Sequence, residues 1–176
     1  DIIMVGGYIA MLIITAGISP AIAVVAAIVG CAVLAMVIEK IAYKPLRSAP
    51  RISLLITAIG VSMLLQNLAQ LIFSANAQSF PSSSIITVQN ISLGSTQISV
   101  TAIVTIAVSI ISMVLLTLLV QKTRMGKAMR AVSEDMSAAQ LMGINVNRTV
   151  SFTFAVGSVL AGIGSILYCC RYPVLT

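Results

Sequence analysis

The chain has 176 residues, of which 59% are hydrophobic, with ten Lys or Arg, four Asp or Glu and a mean hydropathy of +1.12. A soluble helical bundle of this size would carry a charged face on every surface helix, and long stretches here carry none. The net charge of +6 does not indicate nucleic acid, because the basic residues lie mostly in two loops and 5% aromatic content leaves no stacking platform.

Five apolar segments approach the roughly 20 residues that cross about 30 Å of hydrocarbon. They are 2–18, 20–38, 52–73, 99–120 and 150–170. The expected fold is therefore all-α: a polytopic transmembrane helix bundle with five spans. The chain opens at Asp1 straight onto an apolar run, without an initiator Met or a basic leader, which argues against a signal peptide. Residues 1–176 read as part of a single membrane domain, incomplete at both ends. The first two segments meet at Gly17-Ile18-Ser19-Pro20, turn chemistry with no room for a loop. Cys31, Cys169 and Cys170 lie in apolar runs, and the sequence has no His. They read as small buried hydrophobes, with no metal site, cofactor or disulfide framework implied.

Charge sets the sidedness. The loop 39–51 holds Lys40, Lys44, Arg47 and Arg51, and the segment 121–149 holds Lys122, Arg124, Lys127, Arg130 and Arg148. Short loops rich in Lys and Arg remain cytoplasmic. Two spans separate these loops, so both fall on one side, as a consistent topology requires. The segment 74–99 carries no charge and is expected outside, with a small hairpin turning about Leu93-Gly94-Ser95. Arg171 would emerge outside as well.

The third span is the most polar. Ser62, Gln66 and Gln70 recur at i+4, with Asn67 beside them and Thr57 and Gly60 deeper. Amides in hydrocarbon must face other helices or water. They act either as interhelical glue or as the lining of a passage for a zwitterionic solute. With no ionisable residue expected inside a span, proton coupling is disfavoured. The fifth span sets Gly157, Ala161 and Ser165 at i+4, and Ser158 and Gly162 likewise, a pattern for close helix packing against the same bundle or a second subunit.

Between the fourth and fifth spans lies "AVSEDMSAAQLMGIN" (131–145). Ser133 is a favoured N-cap, and Glu134 and Asp135 complement the positive end of a helix dipole. Gly143 follows Met142, where a left-handed residue ends a helix. A helix over 134–142 is too short to hold in water by itself. On an unbroken helix, Met125, Met129, Val132, Met136 and Ala139 would share a stripe opposite Lys127, Arg130 and Glu134. Such a helix could lie on lipid headgroups, pack beneath the bundle, or dock on a cytoplasmic protein. The acidic first turn disfavours an anionic leaflet.

"RAVSEDMSAAQLMGINVNR" (130–148) resembles the cytoplasmic loop of ABC importer permeases of the branched-chain amino-acid type. Within it, Ala138, Ala139 and Gly143 match the importer loop pattern of Glu-Ala-Ala, three residues, then Gly. Ser137 stands where Glu is usual, and the later Ile-x-Leu-Pro portion is not found. "YKPLRSAPRISLLITAIGVSMLLQN" (43–67), "SFTFAVGSVLAGIGSIL" (151–167) and "DIIMVGGYIAM" (1–11) extend the likeness along the chain. The resemblance implies a permease of the bacterial inner membrane that is not itself an enzyme. It would pair with a second permease subunit, cytoplasmic ATPase subunits and a periplasmic or extracellular substrate-binding protein. The short helix would be the coupling helix, with Ser133, Glu134, Asp135, Met136, Ala138, Ala139, Met142 and Gly143 meeting the ATPase. The absence of a Gly-x-x-x-x-Gly-Lys-Ser/Thr run places ATP chemistry on another chain. Permeases for urea or short amides look alike at this level, and an ATP-independent channel or carrier is the alternative class.

Overall fold

A computed structural model describes residues 1–46, 51–73, 78–79, 90–93, 96–172 and 174–175. Seven α-helices carry the fold: α1 (Ile2–Thr15), α2 (Pro20–Ile38), α3 (Arg51–Phe73), α4 (Val100–Lys122), α5 (Arg124–Glu134), α6 (Met136–Leu141) and α7 (Val146–Arg171). A π-helical turn, Glu39–Tyr43, prolongs α2. Four short strands complete the description: β1 (Gln78–Ser79), β2 (Asn90–Leu93), β3 (Thr96–Ser99) and β4 (Val174–Leu175).

The all-α membrane bundle stands, with one correction to the count of spans. Among the described residues four helices are long and apolar enough to cross a bilayer: α2 with its π turn, α3, α4 and α7. The first segment does not join them. Its helix is 14 residues, about 21 Å at 1.5 Å per residue, because the chain turns at Ala16 and Gly17 before the apolar run is finished. The left-handed Gly17 (φ 78°) makes that turn.

Where α1 starts matters more than its length. Its first turn meets neighbouring helices along their lengths and away from their ends. Cys31 Sγ donates to the Ile2 carbonyl at 3.5 Å, Ser165 Oγ donates to the Ile3 carbonyl at 2.6 Å, and Gln66 Nε2 donates to Asp1 Oδ1 at 3.0 Å. The expectation that no ionisable side chain lies within the spans is thereby overturned, since Asp1 stands alongside Gln66, well inside α3.

The packed core is α1, α2 and α7. Lipid tails are as apolar as Leu, so helices in a membrane gain little by burying large aliphatics and associate through close packing of small residues. The buried positions follow that rule: Ala10, Ala23, Ala27, Cys31, Ala35, Ser158, Ser165 and Cys169. At Gly162 the fit is tightest, as a Cβ there would lie 2.9 Å from the Ile28 Cα. The large aliphatics Val25, Val29 and Val33 of α2 face outward instead. Tyr8 stacks on Phe73 with ring centroids 4.1 Å apart, tying α1 to the end of α3.

The two ends of the bundle are distinct. At the basic end, Ser151 Oγ donates to Glu39 Oε2 at 2.9 Å, joining the start of α7 to the π turn. At the opposite end, β1 pairs antiparallel with β4, Gln78 opposite Leu175. There β2 and β3 form the expected hairpin, Asn90 opposite Ser99 and Leu93 opposite Thr96. Its turn residues Gly94 and Ser95 lie outside the described residues.

Candidate functional site

Two places on the molecule gather the residues singled out above. One is the elbow formed by α5, α6 and the start of α7, where side-chain caps follow one another along the chain. Thr123 Oγ1 accepts from Gly126 N at 2.9 Å and opens α5. Asp135 stands in extended conformation (φ −146°, ψ 112°) and its Oδ1 accepts from Ser137 N at 2.8 Å and Ala138 N at 3.1 Å, opening α6. Asn145 Oδ1 accepts from Arg148 N at 3.1 Å and opens α7. Each cap satisfies donors that a helix start leaves unpaired.

This differs from the expected cap. Ser133 lies in the last turn of α5, where its Oγ donates to the Arg130 carbonyl at 2.7 Å. The short helix therefore runs over Met136–Leu141, and Glu134 closes the preceding helix instead of opening this one. Ser and Asp are comparable caps, and a hydroxyl inside a helix readily bonds back to a carbonyl of the preceding turn. The carboxylate, two residues on, takes the exposed amides. At the other end Gly143 is left-handed (φ 79°), with its N–H on the Gln140 carbonyl at 3.0 Å and Ile144 N–H on Ala139 at 3.0 Å.

The chain bends at Asp135, so the long Met stripe is divided. Met125, Met129 and Val132 are half-buried in α5, while Lys127, Arg130 and Glu134 are exposed. In α6, Ala139 turns inward at 4% exposure, whereas Ala138 turns out. Met136 is 42% exposed, and Leu141 and Met142 are 89% and 82% exposed. A rigid six-residue helix thus presents bare aliphatic and thioether side chains beside cations.

The second place is a cavity of about 320 Å³ bounded by the start of α1, α2, α3, α7 and the π turn. Asp1, Ser62, Leu65, Tyr43 and Phe154 lie on its wall. Gln66 Nε2 bridges Asp1 Oδ1 at 3.0 Å and Ser62 Oγ at 3.3 Å. The polar stripe of α3 is therefore split: Ser62 and Gln66 gather at Asp1, and the other two amides do not. Asn67 Nδ2 donates to the carbonyl of Met63 at 2.6 Å on its own helix, and Gln70 is exposed away from this wall. Thr57 likewise bonds back, to the Ser53 carbonyl at 2.8 Å.

On α7 the small residues point different ways. Gly162 and Ser165 are buried against α1 and α2, Ala161 lines the cavity, and Gly157 is exposed with open space around it. Tyr43 and Phe154 meet at 5.2 Å between centroids on the cavity's basic-end wall, one helical turn from the Glu39–Ser151 bond. Sequence reasoning missed this group. Glu39 stood at the edge of a loop dominated by cations, and an isolated Tyr or Phe in a membrane protein carries no spacing signal.

Four membrane-length helices, a small-residue core and a multiply capped elbow at the basic end define a multi-pass helical membrane protein. The family model described as the permease component of the branched-chain amino acid transport system matches residues 1–175. The chain belongs to that family. Among its relatives, the high-affinity branched-chain amino acid transport system permease protein LivH of Escherichia coli (strain K12) is 34% identical over 186 residues. LivH of Salmonella typhimurium is 33% identical over 189 residues, and BraD of Pseudomonas aeruginosa 31% over 186. Each alignment takes in 99% of this chain, but the chain spans only 60–61% of the length of these relatives. No solved structure matches the chain.

Proposed function

We propose that the chain is the greater part of an inner-membrane permease subunit of an ATP-driven importer that carries branched-chain or similar aliphatic amino acids. The relatives' names supply the substrate class. The observation that carries the mechanism is the elbow, a capped helix tipped by Leu141 and Met142 at the basic end of the bundle. The positive-inside rule puts that end in the cytoplasm, where ATPase subunits would reach it.

In this reading α6 seats in a groove on the ATPase, with Met136, Ala138, Leu141 and Met142 as apolar contacts. Lys127 and Arg130 steer the encounter more than they strengthen it. Ser133, Glu134 and Asp135 shape the approach, and Ala139 and Gly143 hold α6 on its own protein. Because Asn145 caps α7 directly after Gly143, a displacement of α6 passes into the first turns of α7. Ser151 hands it to Glu39, and Phe154 to Tyr43, at the inner wall of the cavity. ATP hydrolysis on the partner would thereby open and close a passage lined by Ser62 and Gln66. Asn67 and Gln70 sit further out along the same helix, and a second permease subunit would cover the outward face of α3. A periplasmic or extracellular binding protein delivers substrate to the uncharged end.

The test is uptake by the complete transporter, reconstituted with its ATPase and binding protein, against leucine, isoleucine, valine, urea and short amides. ATP-dependent uptake of the aliphatic amino acids supports the proposal. Preference for urea would reassign the substrate, and uptake without ATP would favour a channel or carrier. Leu141→Asp should lower co-purification of the ATPase at least about tenfold while membrane insertion persists, as an apolar anchor is replaced by a charge. Gly143→Pro should do the same by a different route. Proline cannot take φ 79° and lacks the N–H that bonds Gln140. Undiminished association in both variants would refute the docking role.

A further inference from the structure

We propose that Asp1 is the group that binds the substrate ammonium, in a site formed by the cavity where α1 begins beside α3. The inference rests on the transport reading above and narrows it to one recognition chemistry.

The first observation is placement. Asp1 meets Gln66 well inside α3, and the two residues after it meet Cys31 and Ser165 inside α2 and α7. A carboxylate at such a depth is costly unless it is paired or faces water, and residues of this kind mark solute paths by default. Asp1 has a path to face, since it lies on the wall of the 320 Å³ cavity and is exposed there. That volume falls within the roughly 300–1,000 Å³ range of small-molecule sites.

The second observation is what else forms the wall. Asp1 is the one charged side chain among the described lining residues. Ser62 adds a hydroxyl, and Gln66 holds both groups in place through its amide nitrogen. Most of the remainder is aliphatic, with Leu65, Val61 and Ile38 among the larger side chains and the Tyr43–Phe154 pair at one end. No lining cation competes for the carboxylate. A negative group beside a hydroxyl, set in an aliphatic surround, suits a ligand with an ammonium and a branched hydrocarbon tail. Urea and short amides offer no positive charge to it. One charge contact on an otherwise apolar wall also permits release, which a transit site needs.

Asp1→Asn isolates the charge, because Asn Oδ1 can still accept the Gln66 hydrogen bond. In the complete transporter with its binding protein, leucine uptake per assembled complex should fall about tenfold or more, and Asp1→Glu should recover most of it. A second measurement does not depend on that variant folding. Ser62→Cys in otherwise unaltered protein is labelled with a charged thiol reagent, in the presence of millimolar leucine or of its keto acid, which lacks the ammonium. Leucine should slow labelling at least threefold and the keto acid should not. Uptake in Asp1→Asn equal to wild type would overturn the inference. So would equal protection by the two compounds, or protection by neither. If wild type itself imports no aliphatic amino acid, the transport reading has failed. If wild type imports leucine and Asp1→Asn matches it, only the assignment of Asp1 has failed.

Discussion

α3 and α7 show the same signature in sequence, small or polar residues recurring every fourth position, and they use it in opposite ways. On α7, Ser158 and Ser165 are buried at 2% and 0% exposure, and Gly162 brings the helix against the backbone of α2. On α3, Gln66, Asn67 and Gln70 remain exposed, and two of the polar residues converge on a carboxylate beside a cavity. Size makes the difference. A hydroxyl can return its hydrogen bond to a nearby carbonyl and vanish into a tight interface, whereas an amide on a longer stem holds neighbouring helices apart. Small residues at this spacing therefore predict contact, and amides at the same spacing predict a gap.

Three substitutions would break or sharpen that contrast. The largest effect is expected from Gly162→Leu. A Cβ alone would approach the Ile28 Cα at 2.9 Å, so α2 and α7 must separate. Overpacking of this kind costs about 1–3 kcal/mol or more, and the thermal midpoint of the detergent-solubilised permease should drop by several degrees. An unchanged midpoint would mean that the α2–α7 interface is not the tight one. Gln66→Leu comes next: uptake should fall about tenfold, equivalent to roughly 1.4 kcal/mol, with assembly preserved. Equal losses of uptake and assembly would turn the amide into glue after all. The smallest effect belongs to Gly157→Ala, on the open side of α7. It should stabilise by about 0.5 kcal/mol through reduced freedom of the unfolded chain. A marked loss of assembly instead would reveal a partner helix at that face.

Much of the fold was legible because hydropathy and charge add up along a chain without reference to tertiary contacts. The four long helices, the shared side of the two basic segments, the β2–β3 hairpin and the left-handed Gly143 all follow from local chemistry. What escaped depended on choices between equals or on distant partners. Ser133 and Asp135 are both good caps two residues apart, and the bend of the backbone decided for Asp135. The apolar run through Ile18 concealed the early end of α1 at Thr15. The site at Asp1 was hidden for a stronger reason. Its partner Gln66 stands 65 residues away, and only the depth at which α1 begins brings the two together.

That short first helix has a bearing on biogenesis. At 14 residues it has too few apolar side chains to hold a bilayer by itself, so it must enter as a hairpin with α2, leaning on a neighbour made moments later. Its dock is completed from the far end of the chain, where Ser165 reaches Ile3 across 162 residues. Insertion and maturation are consequently separate events: the spans can be threaded one after another during synthesis, yet the polar pocket is sealed only when the last helix arrives.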